Sequence, residues 1–246
     1  YLHRRQRQMC IRDRNKVMGI IESREFVKHL ITFDNVLPSL MAAQSYNANT
    51  REIVFDDEIY NHETKSWVRD APANRGVVPS YIEAHKEYSE MISMTKDRLT
   101  GHVSLKVEHV SPIFAKEFLS LVINEANNVQ RNIDVDSSTK ALLYLRDQLS
   151  RTPQVEIRDS ISKLIENQLE TQMMASIHDD YVLMTIEPPF TPERKSGPIR
   201  SLIVILSTLV GVFLALVLFW LESISKNLFS NYLNLKVQIH TNLVLE

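Results

Sequence analysis

EPPFTPERKSGPIR, residues 187–200, runs directly into Ser201–Leu221, a segment that contains no charged residue. A helix over Ser201–Leu221 is roughly 30 Å long at about 1.5 Å per residue, which matches the hydrocarbon core of a bilayer. The segment is apolar on every face and ends at Phe219 and Trp220, an aromatic pair typical of the membrane interface. The sequence therefore predicts a transmembrane helix at residues 201–221 rather than a buried core helix.

Small residues recur on one face of this predicted helix. Ser207, Gly211 and Ala215 are four residues apart, so they lie above one another along the helix. Small side chains at this spacing let a second helix approach closely within a membrane. We expect a transmembrane packing face here. The alternative is accidental composition, because a lone glycine is tolerated in membrane helices.

Residues 188–200 form a proline-rich, basic juxtamembrane segment. Proline restricts its own backbone and that of the preceding residue to extended conformations. We expect the segment to act as a stiff spacer beside the membrane, and the alternative is an inert linker. The residues that define this motif are Pro188, Pro189, Pro192, Lys195, Pro198 and Arg200.

Charge and cysteine content exclude two classes of function. The chain has a net charge of −2, but residues 1–16 carry six of its 28 basic and one of its 30 acidic residues, which leaves a net charge of −7 on the remainder. Such a surface is a poor partner for nucleic acid. Cys10 is the only cysteine, so no disulfide forms within the chain. We expect residues 1–15 to be a non-native or disordered head; the alternative is a basic arm that binds anionic lipid or nucleic acid.

Residues 16–187 predict one mixed α and β domain. Apolar residues recur at helical spacing over Val17–Phe33, Asn35–Ala43 and Ser80–Ser93. Gly101–His109 alternates apolar and polar residues and indicates a strand, and Glu52–Ile59 indicates a weaker one. The fold class expected is therefore an α+β membrane protein.

A long helical hairpin is predicted over residues 112–178. Ser111-Pro112 provides an N-cap with proline at the first helical position. Apolar residues at helical spacing then predict two long helices, with the tip at Arg151–Pro153 or, alternatively, at Asp134–Thr139. Tyr181–Ile186 is predicted to be a strand at the end of this region, and we expect it to pair with Gly101–His109. The apolar seams exceed what one hairpin covers, so we expect a homo-oligomer.

A search for catalytic chemistry finds no recognised motif in the sequence. No glycine-rich phosphate loop and no pair of histidines at metal-binding spacing on a helix is present. We interpret the acidic run Asp56-Asp-Glu58 as a solvated turn rather than a calcium site. His102 and His109, at the two ends of one strand, are interpreted as surface or edge residues. The sequence predicts no catalytic residue, no metal site and no cofactor.

Four segments together resemble a known family. They are Lys96–Lys116, which contains RLTGHVSLKVEHVSP, then Glu166–Ala175, Tyr181–Pro189 and Pro192–Arg200. These segments resemble the Wzz-type chain-length determinants, also called polysaccharide co-polymerases. The resemblance covers residues 17–221, and the proline-basic segment beside a membrane helix is its most specific part.

The resemblance implies a non-catalytic inner-membrane protein with a second membrane helix upstream and a short cytoplasmic tail at residues 222–246. It also implies a large periplasmic domain, in which an α/β base lies next to the membrane and a long helical hairpin projects away from it. Such proteins set the chain length of lipopolysaccharide O-antigen or a related glycan, with a Wzy-type polymerase and its lipid-linked glycan as partners. Basic residues flanking the helix, Arg194, Lys195 and Arg200 against Lys226 and Lys236, favour the opposite orientation by one charge.

Two other functions remain open on the sequence. The chain also fits the membrane-sensing part of an exopolysaccharide tyrosine kinase whose catalytic domain lies outside this fragment. A single-pass sensory receptor is the third alternative, and the short tail argues against it.

Overall fold

The computed structural model describes residues 15–71, 73–177, 180–192 and 201–220, and it contains both helices and small antiparallel sheets. The head up to residue 14, the juxtamembrane residues Lys195, Pro198 and Arg200, and the predicted tail at 222–246 lie outside these residues. The chain divides into two compact units, residues 1–192 and residues 193–246. The mixed α and β character predicted for residues 16–187 is confirmed.

Three short helices open the described chain: α1 at residues 15–21, α2 at Arg24–Leu30 and α3 at Val36–Met41. The single helix predicted over Val17–Phe33 is wrong, because it breaks at residues 22–23. Ser23 has an extended backbone, and its hydroxyl accepts the Phe26 N–H at 3.2 Å. A serine that caps a new helix satisfies an N–H that would otherwise lack a partner, so the chain turns at this residue.

Six strands form three separate two-stranded antiparallel sheets in the described part of the chain. The first sheet pairs β1, Ala43–Asn47, with β2, Glu52–Phe55. The second pairs β3, Tyr60–Asn61, with β4, Ser66–Trp67. The third pairs β5, Ile92–Lys96, with β6, Val103–Val107. The acidic run after β2 forms a turn, as predicted, in which the Asp56 carboxylate accepts the Glu58 N–H at 2.9 Å.

Helix α4 spans Tyr81–Met91, two residues shorter at its C-terminal end than predicted. Its N-terminus carries a reciprocal capping box in which Ser80 and Glu83 each bond the other's backbone N–H. The chain then continues directly into β5 at Ile92, which pairs with Val107 of β6.

The strand pairing predicted between Tyr181–Ile186 and Gly101–His109 is wrong. Strand β6 does alternate half-buried and exposed residues as expected, but β5 is its partner, and Tyr181–Ile186 is not a strand. The tight turn between β5 and β6 explains this choice, since the Asp97 carboxylate accepts the N–H groups of Leu99 and Thr100, and Gly101 adopts φ 72°. Closing so short a loop costs little entropy, so the local partner is favoured.

Two long helices follow, α5 at Pro112–Arg151 and α6 at Val155–Ile177. Ser111 caps α5 through its hydroxyl, which accepts the Phe114 N–H at 3.3 Å, and Pro112 occupies the first helical position as predicted. The chain leaves α5 at residues 152–154, the first of the two positions predicted for a tip, whereas Asp134–Thr139 lies inside α5. At about 1.5 Å per residue the two helices are roughly 60 and 35 Å long.

The buried core joins the short helices to the first part of α5. Most of its apolar side chains come from α1, α2, α4 and α5. Among them are Val17, Ile21, Phe26, Leu30, Ala84, Tyr88, Phe118, Val122 and Ala126. The Tyr88 hydroxyl donates to the Ile21 carbonyl at 3.0 Å, and burial raises the pKa of this tyrosine above its usual range, with a smaller effect from Glu22.

A salt bridge closes the loop between β4 and α4. The Arg69 guanidinium donates two hydrogen bonds to the Glu83 carboxylate, at 3.0 and 3.1 Å, and two more to the carbonyls of Gly76 and Val77. Both side chains are only 11–12% exposed. Arg75 reaches the same carboxylate at 3.2 Å, but its side chain is 56% exposed. The loop predicted at Asp70–Pro79 is therefore fixed mainly by Arg69.

We expect Arg69→Ala to lower the free energy of unfolding by about 2–3 kcal/mol, because Glu83 would keep a largely buried charge without its main partner. Arg75→Ala is the matched control, and its exposed pair should contribute about 0–1 kcal/mol. Urea unfolding of the whole chain in detergent micelles, followed by far-ultraviolet circular dichroism, measures both. Equal losses for the two variants would contradict this account of the loop.

The free energy of unfolding also depends on pH, because Glu83 titrates. Hydrogen bonds from Arg69 and from the Ser80 backbone lower the pKa of Glu83 from 4.5 to about 2. A lowered carboxyl pKa stabilises the fold above pH 4.5, and that contribution is lost as the pH falls towards 2. Glu83→Gln should therefore show a weaker loss of stability than the wild type across this interval.

Candidate functional site

The apolar helix α7, Ser201–Trp220, is the element at which the sequence predicts a membrane span. Its mean hydropathy is 3.0, and none of it is buried. Within the part of the chain that the structure describes, it is the one helix long and apolar enough to cross a bilayer. Its described bounds differ by one residue from the predicted range 201–221, since Leu221 lies outside the described residues.

The three small residues Ser207, Gly211 and Ala215 all lie on α7 and are exposed. A Cβ atom built on Gly211 would have no heavy atom within 4 Å, so the surface over this glycine is open. The Ser207 hydroxyl donates to the Val204 carbonyl at 3.0 Å, which satisfies it within its own helix. At Gly211 this face is therefore open to the close approach of a second helix.

Three of the juxtamembrane prolines, Pro188, Pro189 and Pro192, lie in a stretch without helix or strand. Pro188 and Pro192 are exposed, and Pro189 is half-buried. Between them the Thr191 hydroxyl donates to the carbonyl of Pro112, the first residue of α5, at 3.5 Å. The last residues of the first unit thus return to the start of its longest helix.

Asn127 of α5 holds the segment that was predicted to be a strand. Its side-chain carbonyl accepts the N–H groups of Val182 and Leu183, at 3.1 and 2.8 Å, and its amide donates to the Leu183 carbonyl at 3.2 Å. Only 2% of Asn127 is exposed. One buried amide therefore replaces the ladder of hydrogen bonds that a partner strand would provide.

A second polar contact lies about two helical turns further along α5. The Asp134 carboxylate accepts hydrogen bonds from the Tyr181 hydroxyl at 3.1 Å and from the buried Gln130 amide at 2.8 Å. Sequence reasoning missed this group. The available signal is that Asn127, Gln130 and Asp134 recur at spacings of three and four, so they share one helix face beside apolar Ala126.

Helix α6 runs back along α5. Arg158 bonds the Leu149 carbonyl near the start of α6, and Gln172 bonds the Thr139 hydroxyl at 3.0 Å further on. After α6, Leu183 is bonded to Asn127, so each later contact lies closer to the N-terminus of α5. The returning chain is therefore fixed to α5 at several levels.

Part of the apolar surface of α6 has no cover in the described chain. Ile161, Ile165 and Ala175 are half-buried or buried, whereas Leu169, Met173 and Ile177 are 44, 54 and 64% exposed. The last three are four residues apart and form one stripe, which we call the outer stripe of α6. Exposed large apolar side chains in a contiguous row mark interaction surfaces.

In the described residues no group of three or more His, Cys, Asp or Glu side chains is placed to hold a metal ion. His102 is exposed, as predicted. His109 is half-buried just beyond the end of β6, and its Nε2 lies 2.9 Å from the Ser39 carbonyl of α3.

No protein-family model matches the chain, and no curated protein sequence matches it. The features that remain for a functional argument are the apolar helix α7, the outer stripe of α6 and the Asn127 contact.

We expect Asn127→Ala to destabilise the first unit by about 2–4 kcal/mol, because it leaves three backbone groups of residues 182–183 without partners. Asn128→Ala is the matched control, since this neighbouring side chain bonds Glu125 and Arg131 on its own helix. Hydrogen exchange of the Val182 and Leu183 amides should accelerate in the first variant only. Unchanged protection of these two amides in Asn127→Ala would contradict the assigned role.

Proposed function

We propose that this chain is a non-catalytic polysaccharide co-polymerase of the Wzz type. In this proposal it regulates the chain length of lipopolysaccharide O-antigen or a related surface glycan made by a Wzy-type polymerase. The support is the resemblance of residues 17–221 together with one structural observation, the return of the chain along α5. The proposal assigns α5 and α6 to the extended hairpin that the resemblance implies.

The return of the chain carries the proposal because of where it ends. After α6 the chain contacts α5 at Asn127 through Val182 and Leu183, and the Thr191 hydroxyl then donates to the carbonyl of Pro112, the first residue of α5. Ten residues after Thr191 the apolar helix α7 begins. A domain whose chain returns along its longest helix before it continues into a membrane anchor suits a scaffold that regulates a membrane enzyme.

The proposal includes the inner membrane as the location of α7 and the periplasm as the location of the large domain. Its partners are other copies of the same chain, the polymerase and the lipid-linked glycan. The outer stripe of α6 supports lateral association of copies, because its three large apolar residues are exposed in one copy. The small-residue face of α7 supports a contact with another membrane helix.

Lateral association has a specific test. In membranes, chemical cross-linking of the wild-type protein should give a ladder extending above the dimer. Met173→Glu should shorten that ladder, since it places a charge within the outer stripe and an unpaired charge is costly to bury. Asn167→Glu, at an exposed position of the same helix outside the outer stripe, is the control and should leave the ladder unchanged. A wild-type protein that is monomeric in membranes and in mild detergent contradicts the association.

Deletion of the gene tests the function itself. We expect glycan synthesis to continue while its length distribution changes from modal to broad, as resolved by gel electrophoresis of the extracted glycan. Complementation with the full-length gene should restore the modal length. Loss of all glycan, or no change in its length, would refute the proposed function.

Gly211→Leu refines this test within the complementation experiment. A leucine side chain would separate helices that meet at Gly211, so the modal length should shift while protein abundance and membrane insertion stay normal. Gly211→Ala is the control and should retain the wild-type length. An unchanged profile for Gly211→Leu leaves the small-residue face without a role.

A further inference from the structure

His109 lies between β6 and α5 and uses both of its ring nitrogens to bond the backbone. Nε2 is 2.9 Å from the Ser39 carbonyl of α3, and Nδ1 is 3.0 Å from the Ser111 nitrogen. A carbonyl only accepts and a backbone N–H only donates, so these partners require the neutral tautomer with its proton on Nε2.

Ser111, the residue held by Nδ1, is the N-cap of the 40-residue helix α5. Its hydroxyl accepts the Phe114 N–H, and its carbonyl accepts the Ala115 N–H at 3.0 Å. Ser111 is 2% exposed, so its N–H has little access to water as a substitute partner. The centroid of the His109 ring also lies 4.5 Å from the centroid of the Phe114 ring. The imidazole therefore joins α3 to the start of α5.

A second proton on this ring has no acceptor. It would sit on Nδ1 and point at the Ser111 N–H, which places one donor against another and forces the ring or the cap to move. The ring is half-buried, so solvent can still deliver the proton. Burial lowers the pKa of His109 below its ordinary range, and the two backbone bonds oppose this effect only in part.

The surroundings offer little charge to stabilise an imidazolium. Helix α3 contains no ionisable residue. On the strand side, Lys106 pairs with Glu108, and both are more than half exposed. On α5, Lys116 and Glu117 are both exposed. Within the described residues none of these four hydrogen-bonds the ring.

We propose that His109 is a pH-dependent switch at the N-terminus of α5. The neutral ring holds Ser111 and the Ser39 carbonyl together, and the protonated ring releases the cap of the long helix. Because the folded form has the lower pKa, protons bind the open form more tightly, so the closed state loses stability as the pH falls below about 6.5. This inference does not depend on the proposed function.

Hydrogen exchange of the full chain in detergent micelles, followed by mass spectrometry, tests the switch. Between about pH 7.5 and about pH 5, exchange in residues 112–118, corrected for the intrinsic pH dependence, should rise about fivefold, the factor expected for loss of a helix N-cap. Residues 121–128 of the same helix should not change. His109→Gln should abolish the rise, because its amide supplies a donor and an acceptor without titrating.

A second measurement keeps the test decisive if the glutamine variant does not fold. Imidazole nitrogen chemical shifts of the wild type should show a ring protonated on Nε2 at about pH 7.5 that titrates at the same midpoint as the exchange step. The proposal is overturned by unchanged exchange in residues 112–118, by the same rise in His109→Gln, or by two midpoints that differ.

Discussion

The fold depends on the burial of one side of the first four turns of α5 against the short helices α1, α2 and α4. Phe118, Val122 and Ala126 are almost wholly buried there, and Tyr88 joins them from α4. A helix of this length is stabilised chiefly by packing of its apolar face, and each large side chain buried contributes about 1.5–3 kcal/mol. His29 of α2 adds a polar contact to Glu125 at 2.6 Å on the rim of the same surface. The remainder of α5 can extend away from this core because its base is fixed.

Local patterns in the sequence predicted much of this architecture. The alternation in β6, the Ser111-Pro112 cap and the apolar periodicity of α5 and α6 each reflect contacts within a few residues, and such contacts leave a direct signature. The apolar helix α7 was equally clear, since an uncharged segment of this length needs no partner to be recognised. Its position in a membrane and the regulation of glycan length rest on the resemblance and stay proposals.

What the sequence did not predict depends on contacts between distant residues. Ser23 divides a continuous apolar pattern into α1 and α2, and the pattern itself is the same on both sides of the break. Tyr181–Ile186 has the composition of a strand, but β6 pairs with β5, its neighbour along the chain, and Asn127 of α5 bonds residues 182–183 instead. Asn127 and His109 were missed as structural residues because their partners, Leu183 and Ser39, lie far away along the chain.

The pairing of α5 and α6 separates the stability of the core from the length of the helices that extend beyond it, two properties that are usually coupled in a small domain. The main buried cluster involves the first part of α5, whereas in the described residues the hydrogen bonds from beyond Thr139 of α5 to the returning chain go to α6. Whole turns could therefore be gained or lost symmetrically in this distal region without disturbing a single core contact. The length of the two helices and the stability of the core can therefore vary independently. Insertions in the distal region could lengthen both helices while the core stays unchanged.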